Sequence, residues 1–463
     1  MRISRSRLTA SLTVLCTLAL APPALANSSP AEVTHAVGGG VAYLKSQQTT
    51  NGSWEGFGSE WVPTSLAAAG VPPAGVKREA GATNARTYYR ELVGDSATWP
   101  GSEAPVIDFE TATLVAYASG IEPARVSPTQ NLIAQILAQY RPSDPGAYGS
   151  PELFNGTAFA LMALADAKTL KGAQRVPQVL LEKSIEVVRR NQHADGGWSY
   201  LVAEGDTKAL QAPAEAEFTG ATIAALCGSG VPTSDPAIKS ALNFLKAEQS
   251  AEPAGSGAFE SEFGVNTDTT AWVVEGLSAC GINPQGGEFT TSHGKTPIDY
   301  LISQQLPEGG FQYEAEEGEP NLYSSQDAVR ALAGAGFTAA PSKAKGQKLW
   351  VYEKKFTASD TTELGLIINT GSSPLQVCSV SLTPTSKKVT LASVLEAAET
   401  SATPAGCASG FTPTSGKGAI TSIDGSPSSP QAIWQISIDG GAEKQATRKT
   451  PIGIGDTIYL REA

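Results

Sequence analysis

Gln192-His193-Ala194-Asp195-Gly196-Gly197-Trp198 is the stretch on which the fold turns. A glutamine, a short polar run, a glycine and an aromatic recur at Gln47-Gln48…Gly52-Ser53-Trp54, Gln249…Gly257-Ala258-Phe259 and Gln304-Gln305…Gly309-Gly310-Phe311. Each copy closes an amphipathic segment and precedes a more apolar one. A spacing of roughly 55 residues is far too long for one helix, so the unit is a helix pair joined by an aromatic-bearing turn. A chain of such units makes an α-solenoid or a closed α/α ring.

Six pairs can be laid out. The first helices, near Val33–Gln48, Ala80–Leu92, Thr129–Tyr140, Gln178–Gln192, Pro236–Gln249 and Pro297–Gln305, carry one-sided apolar stripes. In Ala241-Leu242-Asn243-Phe244-Leu245-Lys246 the polar Asn243 and Lys246 face away from Leu242 and Leu245, as on an outer helix. The second helices run near Glu60–Gly70, Asp108–Gly120, Phe154–Ala167, Phe218–Gly230, Asp268–Gly281 and Ser325–Gly336. Stretches such as Thr222-Ile223-Ala224-Ala225-Leu226 are apolar nearly all round, so these helices are packed on both faces as an inner ring. Glycines such as Gly230 and Gly281 suit the left-handed position just past a helix and read as stops. Trp99-Pro100-Gly101 and Gly146-Ala147-Tyr148 stand, in degenerate form, where the second and third turns belong.

After Gly336 the texture changes. Lys343-Ala344-Lys345-Gly346 reads as a linker. Short β-rich runs follow at Leu364–Asn369, Leu375–Leu382, Gly418–Ile423, Ile433–Ile438 and Thr457–Leu460, with one helix at Leu391–Thr400. The expected fold is therefore mainly α, an (α/α)6 toroid over residues 27–342, followed by a small β-rich domain with one helix over 346–463.

Residues 1–26 read as an export signal: Arg2, Arg5 and Arg7, apolar Leu8 to Ala21, then Ala24-Leu25-Ala26 before Asn27. Cys16 follows Leu15, where a lipoprotein signal wants a small residue. No later segment approaches the roughly 20 apolar residues that span a bilayer. A secreted or cell-surface-associated protein, not inserted in the membrane, is expected. The chain has 45 acidic and 33 basic residues, and losing the three leader arginines takes its net charge from −12 to −15. Such a balance disfavours nucleic acid and anionic lipid as partners. It leaves open a small-molecule ligand and a receptor or transporter at the cell surface.

Four cysteines remain after the leader: Cys227, Cys280, Cys378 and Cys407. In an oxidising compartment they invite two disulfides, one in each half of the chain. Cys227 and Cys280 end equivalent second helices of consecutive repeats and bridge if those helices converge. Neighbouring helix axes lie about 8–10 Å apart, so a pair of buried thiols stays open as the alternative.

The Gln…Gly-x-Trp turns resemble the QW repeats of the terpenoid cyclase and protein prenyltransferase toroids, across about residues 33–338. That resemblance implies an (α/α)6 barrel whose glutamines and aromatics tie outer helices together. The C-terminal region resembles the small β domain of the transcobalamin and intrinsic factor group. The matching stretches are Val389-Thr390-Leu391-Ala392-Ser393-Val394-Leu395, Ile420-Thr421-Ser422-Ile423-Asp424-Gly425, Trp434-Gln435-Ile436-Ser437-Ile438-Asp439-Gly440 and Gly453-Ile454-Gly455-Asp456-Thr457-Ile458. Toroid followed by this domain is the transcobalamin order, and it implies a corrinoid such as cobalamin as bound ligand.

Catalytic motifs are missing. The D-x-D-D-T-A acid motif of type II cyclases has its nearest match in Asn266-Thr267-Asp268-Thr269-Thr270-Ala271, with one carboxylate for three, and a lone Asp at a helix start is most simply a cap. The three histidines, His35, His193 and His293, lack a cysteine at ligand spacing, so no zinc site is expected. Neither a G-x-S-x-G elbow nor a phosphate loop appears. These absences point away from an enzyme, and no cofactor is required.

What remains is polar residues at the starts of the inner helices, which a closed ring gathers at one mouth. Trp61, Asp108, Asn155, Glu217, Asp268, Tyr323 and Gln326 are the candidate ligand-binding residues there, facing Ser422, Ile423 and Trp434 of the β domain. Each polar start also reads as a cap of its own helix. Two other readings stay open: a terpenoid- or glycan-active (α/α)6 enzyme, the glycan-active one using Asp108 with Asp268 or Glu217 as an acid/base pair, and an extracellular scaffold or adhesion protein. A scaffold predicts a mouth plugged by its own side chains; a binder predicts an open cavity facing the β domain.

Overall fold

The computed structural model describes residues 27–56, 58–95, 99–100, 108–171, 175–202, 212–251, 255–337, 361–371, 374–384, 388–409, 418, 420, 422–423, 426–427 and 433–462. The expected leader and linker lie outside them.

Six helix pairs follow one another: α1 (Pro30–Ser46) with α2 (Val62–Ala68), α3 (Ala85–Gly94) with α4 (Asp108–Ala118), α5 (Leu132–Ala138) with α6 (Asn155–Lys171), α7 (Gln178–Arg190) with α8 (Ala216–Gly228), α9 (Pro236–Ala251) with α10 (Thr267–Ala279), and α11 (Pro297–Ser303) with α12 (Leu322–Leu332). Each even-numbered helix packs on the next, and α12 returns to α2, which closes an inner ring. The outer belt closes at the same seam, where α1 packs on α11 and α12. Burial separates the two layers. In α4 every residue from Phe109 to Ala118 is buried, whereas α7 buries the one-sided set Leu180, Leu181, Ser184, Ile185, Val187 and Val188.

The repeated turn has a mechanical role. The amide of Gln192 donates to the carbonyls of Gly196 (2.7 Å) and of Ala237 in the next outer helix (2.8 Å). Gln48, Gln249 and Gln305 repeat the two-way link. Trp198 sends its indole N–H to Val188 (2.9 Å) and Trp54 sends its own to Leu44 (2.7 Å). Gly196 sits at φ +102°, and a Cβ there would fall 2.4 Å from the Ser240 carbonyl oxygen. The degenerate Gly146 does the same work at φ +97° against Lys183, so the third turn keeps the backbone of the repeat after losing its glutamine. A further element is invisible in the glutamine pattern. The backbone N–H of four turn aromatics, Tyr148, Trp198, Phe259 and Phe311, donates to a hydroxyl on the following inner helix, Thr157, Thr219, Thr270 and Ser325.

Cys227 and Cys280 form a disulfide, with Cα atoms 5.2 Å apart. Glycine makes this approach possible. A Cβ on Gly276 would lie 2.2 Å from the Gly220 carbonyl oxygen, and one on Gly220 would lie 2.6 Å from that of Trp272, so α8 and α10 meet backbone to backbone. Cys378 and Cys407 form the second bridge.

The C-terminal part is a six-stranded mixed sheet in the order Lys444–Gln445, Trp434–Ile438, Thr457–Glu462, Thr362–Asn369, Gln376–Leu382, Ala402–Thr403. Thr457–Glu462 and Thr362–Asn369 run parallel; the other pairs run antiparallel. Helix α13 (Leu391–Ser401) starts with a capping box from Thr390 and Ser393 and packs on the sheet. Within the expected strand at Gly418–Ile423, Ser422–Ile423 pairs with Ser426–Pro427, and residues 419 and 421 lie outside the described residues.

This sheet docks on the third helix pair. Gly365 lies against Leu137 of α5, Asn131 donates to the Glu363 carbonyl (3.0 Å), and Gln135 donates to the Glu363 carboxylate (2.5 Å). Arg175 bridges Glu122 (2.6 Å) and Asp439 (2.9 Å), and Arg125 meets Asp456 (3.3 Å). Glu122, Arg125 and Arg175 follow the C-terminal ends of α4 and α6. The β domain is therefore held at the side and base of the ring.

Candidate functional site

The inner helices begin at Val62, Asp108, Asn155, Ala216, Thr267 and Leu322, and these starts surround one end of the ring. A cavity of about 390 Å³ opens there beside the first two pairs; its walls include Trp61, Tyr89, Trp99, Phe159, Trp272 and Tyr323, with the carboxyls of Glu60 and Asp108. A second recess of about 550 Å³ shares Tyr323 and adds Asp268, Tyr313 and Asn321.

The ring axis itself is filled. Phe337, just beyond α12, meets Trp61, Phe159 and Trp272 edge-on, with ring centroids 6.3, 6.1 and 5.0 Å away. Above them lies Arg330, its guanidinium carbon 5.1 Å from the Trp61 ring centre and 5.5 Å from that of Phe337. Arg330 is 1% exposed; it donates to Glu275 (2.8 Å), Asp327 (2.7 Å) and Thr64 (3.0 Å). Trp272 sends its indole N–H to the other Asp327 oxygen, 2.8 Å away. The axis is thus plugged by the protein's own side chains while a cavity stays open to one side of it.

The carboxyls fall into two groups. Burial raises both Asp108 and Glu60, and the charge of Asp108 raises Glu60 further. Across the mouth, burial raises Glu217 although the Thr269 hydroxyl donates to it at 2.6 Å. Burial, then the charge of Asp327, pushes Asp268 well above the carboxylate range. Glu275 is pushed up to about 8 because burial outweighs the pull of Arg330. Two acids share one guanidinium at the ring's centre.

The expected site residues separate on inspection. Trp61, Asp108 and Tyr323 line the first cavity, and Asp268 and Tyr323 line the second. Asn155 accepts the Gly156 N–H at 2.8 Å and serves the start of its own helix. Gln326 is fully buried and donates to the Gly58 carbonyl at 2.8 Å, tying the turn before α2 to α12. Ile423 and Trp434, both 0% exposed, belong to the core of the β domain, and Ser422 lies half-buried beside Ile423. The structure does not bring these three to the mouth. An indole and a branched alkyl chain are what a small sheet needs to build a core, and the sheet meets the ring elsewhere.

Tyr89 of α3, Phe159 of α6 and Tyr313 had no place in the sequence pattern. Phe159 lies in the second turn of its helix, beyond the polar helix starts. Tyr89 stands on an outer helix and reaches the mouth where the second turn, Trp99-Pro100, departs from the repeat. That departure was the available signal: the cavity sits where the glutamine belt is interrupted. Among the described residues no group of three or more His, Cys, Asp and Glu side chains is placed to hold a metal ion, and no helix is long and apolar enough to cross a membrane.

Fold and site define a closed six-pair α/α toroid with an acidic, aromatic mouth, joined to a small β-rich domain. No family model and no curated protein matches the sequence. Among solved structures the chain is similar to the apo type II terpene cyclase MstE from Scytonema, at 16% identity and TM-score 0.46 over 68% of this chain and 100% of that one. It is similar to an unsaturated glucuronyl hydrolase from Bacillus sp. GL1, at 12% identity and TM-score 0.44 over 65% and 95%. It is also similar to haptocorrin in complex with Cbi, at 11% identity and TM-score 0.38 over 95% and 99%. Likeness at this level carries no chemistry from those proteins to this chain.

Proposed function

We propose that this chain is an exported, non-catalytic binding protein that takes a bulky small molecule at the mouth of its toroid. The observation that carries this reading is the open cavity of about 390 Å³ with aromatic walls and two carboxyls. Small-molecule sites of roughly 300–1,000 Å³ are built in this way, mostly apolar with a few convergent polar groups. The adjoining recess at Asp268 enlarges the space a ligand can occupy. Two disulfides and an N-terminal segment with the features of a leader support export.

A corrinoid, suggested by the resemblance in domain order, is the first ligand to try. Calorimetry with cobinamide and with cobalamin, on protein whose fold is verified by circular dichroism, tests it. Saturable heat supports the corrinoid, and no heat with either removes it. A thermal-shift screen then asks for another ligand, because a molecule that binds only the native state raises its melting temperature.

One observation favours a second, enzymatic reading. Asp268 is held toward its protonated form by burial and by Asp327 and Glu217, which suits a general acid at a recess. Turnover of a polyprenyl or oligosaccharide substrate that disappears in Asp268→Asn would establish it; no turnover by the wild type removes it.

A further inference from the structure

The cavity at Glu60 and Asp108 has a charge character that narrows what it can hold. Among the described residues no lysine, arginine or histidine lines it. The guanidinium of Arg330, which stacks on the Trp61 ring, is already shared between Glu275 and Asp327. No hydrogen bond or ion pair engages Asp108 among the described residues, and it stands near enough to Glu60 for its charge to raise that carboxyl. Tyr89, only 3% exposed, lines the same cavity with no hydrogen bond to its hydroxyl among the described residues. The rest of the wall is aromatic: Trp61, Trp99, Phe159, Trp272 and Tyr323.

Four ligand classes can be weighed against this lining. An anion would be set against two carboxyls with no cation to answer it. A neutral apolar molecule would cover Glu60, Asp108 and the Tyr89 hydroxyl without satisfying them, and burying an unmatched polar group costs roughly 1–3 kcal/mol in proteins. A hard metal ion wants six or more oxygen ligands, and the wall offers indoles and phenyl rings in their place. An organic ammonium satisfies both halves of the lining. Its charge meets the carboxyls and the negative faces of the rings, and its carbon body replaces water along the aromatic wall.

We infer that the Glu60–Asp108 cavity is a site for an organic cation, a protonated or quaternary amine carried on an apolar body. The inference rests on the mouth being a binding site, and it is independent of the corrinoid. It gives Asp108 and Glu60 the role of charge partners, Trp99 and Trp272 the role of walls, and Tyr89 that of a hydrogen-bond acceptor where the head is a protonated amine.

The test uses the full chain and three probes of similar shape: benzyltrimethylammonium, its neutral carbon isostere 2,2-dimethylpropylbenzene, and the anion phenylacetate. Binding is followed by tryptophan fluorescence and calorimetry. The ammonium is expected to bind at least about tenfold more tightly than the isostere, and the anion not to bind. The double substitution Glu60→Gln with Asp108→Asn, shown by its melting temperature to be folded, should abolish that preference while the isostere still binds. Trp99→Ala should weaken both. A neutral or anionic probe that binds as well as the ammonium overturns the cation site and leaves the mouth a binding site. A preference that survives the double substitution overturns it too. If none of the three binds, the cation site falls, and the mouth as a binding site stands or falls on the corrinoid and thermal-shift measurements.

Discussion

The side-chain amide of Gln305 donates to the backbone carbonyl of Ala36 across 2.7 Å and 269 residues of chain. The same nitrogen reaches the Gly309 carbonyl at 2.9 Å, so one glutamine welds the last turn to the first helix and closes the ring. Helix α1 is shaped to receive it. A Cβ on Gly309 would lie 2.4 Å from the Gly39 carbonyl oxygen, and one on Gly40 would lie 2.3 Å from a Val329 methyl. A glycine inside a helix costs about 1 kcal/mol relative to alanine, which the seam accepts because a side chain would hold it open. Gln305→Ala leaves two carbonyls without their donor and should destabilise the protein by about 1–3 kcal/mol. A urea titration checks this: the midpoint should fall, and an unchanged midpoint would make the link decorative.

The pairing of helices could be read from residues such as Gln192 and Trp198 because each acts on its neighbours in a repeated way. Asp299 and Glu32, which complete capping boxes with Thr296 and Ser29, were equally local. The closing of α8 on α10 was not, since it depends on Gly220 facing Gly276 from another repeat, and glycine carries no hydrophobic signature. Trp434 and Ile423 misled for a related reason. Their chemistry suits a ligand face and a core equally, and only the docking of the sheet on α5 decides between them. Tyr89 entered the site through a gap in the belt, a feature that exists only once the ring is closed.

The bridge between Cys227 and Cys280 spans 53 residues. In the chain-entropy model, closing a loop of that length stabilises the folded state by about 4 kcal/mol. Cys227→Ser with Cys280→Ser should therefore lower stability by up to about that amount, read as a fall in the denaturant midpoint. Because α8 and α10 remain in contact through Gly220 and Gly276, the variant should keep its helical circular dichroism. Loss of the helical signal would mean that the disulfide holds the ring shut.

Stability should decline as pH rises through neutrality. Glu275 is 0% exposed and its carboxyl is pushed up to about 8 from an ordinary value of 4.5. Between those values the folded protein holds a proton that the unfolded chain has released, so the derivative of unfolding free energy with pH is negative. Burial pushes Glu215 and Glu363 up to about 7, with the same sign. The contribution is present in full below about pH 4.5 and is lost as pH approaches 8. Urea midpoints at pH 5, 6, 7 and 8 should fall in order, and Glu275→Gln should flatten the series. A midpoint that rises over this range would show that Arg330 keeps Glu275 ionised.

Arg175 is the buried link between ring and sheet. It is 5% exposed, bonded to Glu122 at 2% exposure and to Asp439 at 29%. Removing one member of a buried pair strands the other, at a cost of about 3–5 kcal/mol, whereas replacing both with apolar side chains is often neutral. Arg175→Met alone should then be strongly destabilising, because Glu122 stays behind without a cation. Arg175→Met with Glu122→Met should recover most of the loss, since the partly exposed Asp439 keeps the Thr457 N–H and access to water. A double-mutant cycle measures the coupling, and hydrogen exchange locates it. Protection should fall first in Trp434–Ile438 and Thr457–Glu462, the strands that flank Asp439 at the seam with the ring. If protection falls first in α4 and α6, Arg175 serves the ring and the sheet is held by the packing of Gly365 on Leu137 and by the contacts of Glu363 and Asp456.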